Sequence, residues 1–352
     1  MLSWLIEEIG PRPLGLARVG VGLAAIVKAL ITAPVLLALT RDDLLRTPNF
    51  IWFPEPVSPL VWLVLATWVI SATLLAIGWK VSVSGTVLTL TIAFTLALDQ
   101  QLYSNHLYLL GWLTLLMTIA DAGAGLNVSR VDRPVVRWPV ILLMAQLSIV
   151  YGFSALSKIN PDFLRGEVLA GELRGGLVPF PETLITPPLM AGLAAVVIAV
   201  EAALALLIWR ARFRPYVFAL GLGLHLSITF FMSATGQLAV FSLEMLSLYP
   251  LFLTGHPLEV SRKAECAHCA RMEVRLRRHD VLEILEIASE EQQADLRLFH
   301  HGRVTTGADA HTRILEHLVP WLWLASLLRL PVVRELHRRR HDRIYRLANS
   351  SV

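Results

Sequence analysis

The sequence predicts a mainly α-helical, polytopic membrane domain followed by a small α/β domain. Three observations carry this reading. Apolar stretches of membrane-spanning length recur between residues 14 and 253. Hydrophobic residues make up 55% of the chain and charged residues only 16%, where a soluble domain carries about 25% charged residues. Beyond about Gly255 charged residues become frequent, and the pattern changes to alternating strands and helices.

A bilayer core takes roughly 20 apolar residues per helix. On that measure about eight spans follow: Leu14–Leu39, Pro59–Trp79, Ser82–Leu98, Leu107–Ala120, Trp138–Leu156, Leu189–Trp209, Tyr216–Met232 and Leu238–Leu253. The third, fourth and eighth are short. The N-terminal MLSWLIEEIG lacks a basic region and a small-residue cleavage site, so no cleaved signal peptide is expected. Lys80, Arg130, Arg133, Arg137, Arg210, Arg212, Arg214, Arg262 and Lys263 fall on one side of these spans. The loops near 100–105 and 233–237 have no Lys or Arg, although the longer outer connections carry Arg41, Arg46, Lys158, Arg165 and Arg174. The positive-inside rule then places both termini in the cytoplasm of a multi-pass protein of the cell (inner) membrane. A net charge of +4 is small, and no nucleic-acid partner is expected.

The boundary divides residues 1–255 from 256–352. In the second domain the order reads strand (Pro257–Val260), Cys-Ala-His-Cys turn, helix (Ala270–Arg278), strand (Val281–Ile287), polar loop, strand (Asp295–Phe299), turn at His301-Gly302, strand (Arg303–Thr305), helix (Ala308–Leu318). A helical tail follows, with an apolar patch Trp321–Leu328 and a basic run His337–Arg340.

An ionisable residue inside a span costs about 2.5–3.5 kcal/mol on insertion scales, so each is a candidate functional group. Arg18, Lys28, Glu201, His225 and Glu244 qualify, with Asp99, Asn105, His106 and Asp121 at span ends. Bland roles compete. Arg18 contacts headgroups or supports the interior; Glu201 and Glu244 pair with Arg18 or Lys28, or do chemistry; His225 is a core residue or a site residue; Asp121 terminates a helix.

The stretch VYGFSALSKINPDFLRG, Val150 to Gly166, ends the fifth span in Lys158. Proline disfavours helical geometry in the residue before it, so Asn160 is a break. Lys158 is an interfacial anchor or a base. The fourth span begins at His106 and runs inward, and the fifth returns to Lys158. Asn105, His106 and Lys158 are therefore expected at one outer level, able to converge on an outward pocket.

In order, LGLARVGVG, LYSNHLYLL, MTIADAG, QLSIVYGFSALSKINPDFLRG, LHLSITFFM and QLAVFSLEMLSLYPLFL resemble the membrane domain of vitamin K-dependent gamma-glutamyl carboxylase and its bacterial relatives, the HTTM proteins, over about residues 10 to 255. The resemblance implies that Lys158 stands in the place of the base that deprotonates a reduced, vitamin K-like quinol, and His106 in the place of a residue supporting a later intermediate. It implies CO2 and O2 as co-substrates only where carboxylase chemistry is retained. The carboxylase's large lumenal domain has no counterpart here. The expected function is therefore quinol- or lipid-linked redox or carboxylation-type chemistry on a quinone or isoprenoid substrate, with Lys158, His106, Asn105 and His225 catalytic and Arg18, Glu201, Glu244 and Asp121 in support. The alternative is a non-catalytic anchor or transporter-like scaffold with a partner-binding soluble domain.

Cys266 and Cys269 are the only cysteines. Between a strand and a helix, the first thiol sits at a helix N-terminus, where the dipole favours thiolate. Redox use, a metal site and inert remnants remain open, though one CxxC pair does not build a closed four-ligand site and no metal is expected. With HHGRVTTGADA, WLWLASLLRLPVVREL and RIYRLANSS, residues 257 to 349 resemble the DCC family of thioredoxin-like, thiol–disulfide oxidoreductase-annotated proteins. That family's Asp-Gly-Asp-Cys turn is here Lys263-Ala264-Glu265-Cys266. The resemblance implies a dithiol exchanging electrons with a thiol redox partner.

Overall fold

A computed structural model describes residues 3–350 except 42, 44, 234, 254–256, 265, 291–294, 301, 320 and 324. Two compact units emerge. One runs to Leu206 and resumes over Gly221–Phe252; the other joins Leu207–Leu220 to the chain from Leu253 onward. The expected division at residue 255 thus sits close to the second crossing, and the start of the seventh expected span counts with the C-terminal unit.

The first unit is helical, apart from one short antiparallel pairing of β1 (Glu8–Ile9) with β2 (Val135–Val136). Its helices are α1 (Arg12–Ala38), α2 (Ser58–Ile77), α3 (Val81–Leu98), α4 (Asn105–Ile119), α5 (Arg137–Ser157), the short α6 (Pro161–Leu164) and α7 (Glu167–Leu173), α8 (Pro187–Leu207), α9 (Arg214–Phe231) and α10 (Thr235–Ser247). A helix occupies each of the eight places expected. Among the described residues, six segments are long and apolar enough to cross a membrane, the last being Gly236–Leu253, where a 3-10 turn at Tyr249–Leu253 extends α10. α4, with 15 residues, is shorter. Large apolar side chains point outward along these helices, among them Leu63, Phe153 and Leu206, as a lipid-facing surface requires.

Without a hydrophobic drive between helices in lipid, association rests on close backbone approach at small residues. α1 is the central element and supplies them. A side-chain carbon added at Gly22 would lie 2.7 Å from the Ala76 Cβ of α2, and one at Gly20 would lie 2.3 Å from the Ser247 Cβ of α10. α2 ends on Gly78 in the left-handed conformation, an ordinary helix stop. At the other end of the chain's first turn back, Asp99 accepts from the amides of Thr47 and Gln101 and from the Thr47 hydroxyl, so this buried carboxylate is a loop brace.

The second unit holds a four-stranded sheet in the order β4-β3-β5-β6, from β3 (Leu258–Lys263), β4 (Leu285–Glu290), β5 (Arg297–His300) and β6 (Arg303–Thr306). β3 and β4 are parallel and joined through α11 (Ala267–His279); β3/β5 and β5/β6 are antiparallel. α12 (Gly307–Leu315) and α13 (Pro331–Ser350) complete it. Its core gathers Leu258, Val260, Leu298, Ile314 and Tyr345 around both cysteines. The expected elements recur with strands shifted by a few residues, and β4 begins four residues later than expected because Asp280 accepts from the amides of Ile284 and Leu285 and turns the chain first. Of the expected turn, His301 lies outside the described residues; Gly302 adopts φ +69°.

Candidate functional site

One face of α5 builds the first half of the site. Tyr151, Ser154 and Lys158 recur at i, i+3 and i+7, so they line one stripe of the helix. At the end of that stripe the Lys158 ammonium donates to both carboxylate oxygens of Glu201 on α8, at 2.9 Å each, and to the Ser154 hydroxyl at 2.5 Å. Ser154 in turn donates to Glu201 Oε1 at 2.9 Å. The Glu201 side chain is only 8% exposed while that of Lys158 is 24% exposed, so the cation is the reachable member of the pair. The ammonium also lies 5.7 Å from the Phe163 ring centre. Glu201 therefore pairs with Lys158, and neither Arg18 nor Lys28 takes that role.

About 10 Å back along α5, Tyr151 shares a hydrogen bond of 2.6 Å with His225 Nε2 of α9 and one of 2.9 Å with the Tyr249 hydroxyl. His225 Nδ1 lies 3.1 Å from the Ser242 hydroxyl of α10, which contacts the Thr229 hydroxyl at 2.9 Å. All of Tyr151, His225 and Tyr249 are buried. A polar network in a low-dielectric interior is stable only when its members are satisfied, and this one is. Sequence reasoning singled out His225 but not Tyr249 or Ser242; a hydroxyl in an apolar stretch carries no charge and raises no flag.

α1 and α10 supply the second half. Buried Lys28 donates to the Ser104 hydroxyl at 2.8 Å and to Gln237 Oε1 at 2.5 Å. Glu244 is its acidic neighbour and is fully buried, yet neither of its carboxylate oxygens accepts a hydrogen bond from a described residue. His106 is also an electrostatic neighbour of Lys28, and its ring meets that of Phe241 at a tilt, 5.0 Å between ring centres. Phe241 also meets His225, 5.5 Å between ring centres.

The expected convergence of Asn105, His106 and Lys158 thus takes a different form. No hydrogen bond or ion pair joins Lys158 to His106 among the described residues. The side chains Phe241, His225 and Tyr151 connect the two regions instead. Asn105 is exposed and accepts from the Tyr103 hydroxyl at 3.1 Å. Asp121 accepts from Arg133 at 3.0 Å at the opposite end of α4. Arg18 is fully buried and donates to the carbonyls of Ala76, Ala122, Gly125 and Leu126, which ties the start of α1 to the end of α2 and to the connection after α4.

In the second unit Cys266 and Cys269 are joined as a disulfide, and both are buried. Cys266 caps α11, its sulfur accepting from the Cys269 amide at 3.1 Å. Tyr345 of α13 shares their core cluster, stacks on His341 at 4.4 Å and meets His268 edge-on. His311 and His337 lie alongside, 3.4 Å between nitrogens. Burial, followed by the neighbouring histidines His337 and His341, holds His311 down to about 4 from its ordinary 6.5. His268 is lowered as well, by burial and then by Arg271, His341 and Arg275.

Comparison with known proteins adds one result: the sequence model of the HTTM domain matches residues 7–256. Neither a curated protein nor a solved structure matches the chain.

Proposed function

The chain belongs to the HTTM family, and from that premise we propose that it is a multi-pass membrane enzyme carrying out quinol- or lipid-linked chemistry, with Lys158 at the proton-accepting site. The Lys158–Glu201 pair carries the proposal. It is an ion pair open on its cationic side and closed on its anionic side. Deprotonating a quinol breaks a phenolic O–H bond and leaves an oxyanion. The proton ends on the Glu201 carboxylate, either directly or by Lys158 Nζ taking it as its own proton moves to Glu201, and the ammonium that remains holds the oxyanion. An aromatic ring meets Phe163 beside the ammonium. Tyr151 and His225 stand behind as positioning residues, and His106 with Lys28 and Glu244 forms the second polar region. A quinone or isoprenoid substrate reaches these groups from the bilayer. The reaction class is an oxidoreductase, or a carboxylation-type lyase consuming CO2 and O2. The cell (inner) membrane with cytoplasmic termini is the proposed setting.

The second unit is proposed to be thioredoxin-like, of the DCC type. Its parallel β3-α11-β4 unit, antiparallel β5-β6 hairpin and following α12, with CxxC at the start of α11, support this. Its disulfide would accept two electrons and two protons from a partner dithiol, leaving the partner oxidised and both thiols free.

The test uses protein reconstituted in liposomes with a reduced quinone, scored by quinol oxidation. Lys158→Ala and Glu201→Gln are each expected to lower turnover at least about 100-fold, the range of general-base catalysis. Unchanged turnover in Lys158→Ala sinks the assignment. The second reading, a non-catalytic anchor or transporter-like scaffold, is favoured instead if no quinone or lipid co-purifies and Cys266→Ser leaves every phenotype intact.

A further inference from the structure

The end of the helical unit at which α1 begins holds a cavity of about 390 Å³ that the chemistry above does not use. This is within the size range of small-ligand sites. Lys80 and Arg133 line it, with Gly78, Gly123, Asn127 and Ser129. Behind Gly78 lies Arg18: a side-chain carbon on that glycine would fall 2.5 Å from Arg18 Nη1. Glycine here brings a buried guanidinium up to the wall of the cavity.

The charges do not cancel. Arg18 donates only to carbonyls, its Nε has no described partner, and no described carboxylate pairs with it. Asp121 is held by Arg133. Asp132, farther along the loop, is taken by Arg12. Three cations, Arg18, Lys80 and Arg133, therefore face one carboxylate, Asp121. The N-terminus of α3 adds to this field. Its N-cap is Lys80 itself, and no side chain caps it, so the positive end of its dipole lies beside a residue that lines the cavity.

The loop is braced to hold this shape. Asn127 donates to the carbonyls of Gly123 and Val131, and Ser129 donates to Asn127 Oδ1. Four of the five described non-glycine residues with positive φ gather here: Lys80, Asp121, Leu126 and Arg130. Such backbone strain persists where surrounding structure imposes it, typically at ligand clamps.

We propose that this cavity is a binding site for a phosphate oxyanion, carried by a soluble phosphate compound or by the headgroup of an anionic lipid. Lys80 and Arg133 contact the oxygens, the α3 dipole adds to the positive field, and Arg18 supplies fixed positive charge beneath. Trp79, exposed and covered by the Lys80 ammonium at 4.9 Å, suits a position at a membrane–water interface.

Two arms separate the sources. Full-length protein in neutral detergent is titrated with inorganic phosphate, against chloride at equal ionic strength. The same protein is placed in phosphatidylcholine nanodiscs with and without phosphatidylglycerol, and its thermal midpoint is read. Saturable phosphate binding supports the site with a soluble ligand. A raised midpoint only with phosphatidylglycerol supports it with a lipid headgroup. In either case Lys80→Gln and Arg133→Gln are expected to weaken the response about tenfold each, and Lys80→Arg to retain it. Lys80 is exposed, so its replacement leaves the fold intact. No response in either arm, or one that survives both glutamine variants, overturns the proposal.

Discussion

Lys158 and Glu201, 43 residues apart in sequence, meet with the ammonium donating to both carboxylate oxygens at 2.9 Å. A charge pair in a membrane-spanning region is stable only as a pair, because removing one partner strands the other in a medium that solvates it poorly. Lys158→Met and Glu201→Gln should therefore each destabilise the protein by about 3 kcal/mol, while the double variant loses less than the sum. Thermal unfolding of the four proteins in one detergent measures the coupling, expected at about 1–3 kcal/mol. Additive losses would show that the pair contributes nothing.

Tyr151→Phe removes one hydroxyl, which takes a partner from buried His225 Nε2 and one hydrogen bond from the Tyr249 hydroxyl. The buried cost is about 1–3 kcal/mol. A second change, Tyr151→Phe with Tyr249→Phe, should cost less than twice that, since the two tyrosines share one hydrogen bond that is lost only once. Denaturation midpoints of the two variants decide this.

The C-terminal unit should weaken in mild acid. His311 is held down to about 4 in the folded form, against an ordinary 6.5. A histidine so lowered is neutral when folded and takes a proton on unfolding. Its contribution is intact above about pH 6.5 and is lost as pH falls towards 4. Linkage puts the loss at about 2 kcal/mol between pH 8 and pH 5. Hydrogen exchange of α12 in the full-length protein should show it, and His311→Gln should flatten the slope. An unchanged slope in that variant removes His311 as the cause.

Burial of both cysteines, joined as a disulfide, predicts no maleimide labelling of native protein before reduction. After mild reduction Cys266, at the N-cap of α11, should label before Cys269, which is fully buried. Mass mapping of the modified peptides reads the order. Labelling without reductant would exclude a closed disulfide.

Parts of this protein were legible residue by residue. Hydropathy marked eight places that helices occupy, six of them with segments long and apolar enough to cross among the described residues, because a bilayer demands a satisfied, apolar segment at each crossing and that demand is local. Alternation located β3, α11, β5, β6 and α12 of the second unit for the same reason. Lys158, Glu201, His225 and Glu244 stood out because charge or an imidazole in an apolar stretch is costly wherever it ends up. Phe241, which with His225 joins His106 to Tyr151, did not stand out, nor did Tyr249 and Ser242, since an apolar or hydroxyl side chain in a span costs little.

By itself the sequence determined the places of the apolar helices, the change in character near residue 255, and which side chains must find partners. Only the tertiary structure decided who those partners are: Glu201 for Lys158, four carbonyls for Arg18, and Ser104 and Gln237 for Lys28. The physical reason is the solvent. In water a helix shows its inward face by the contrast of apolar and polar sides; in lipid both faces are apolar, so periodicity does not say which way Lys158 points. That direction is set by close packing between helices such as α1, α2 and α10, which is a property of pairs of segments and not of either one alone.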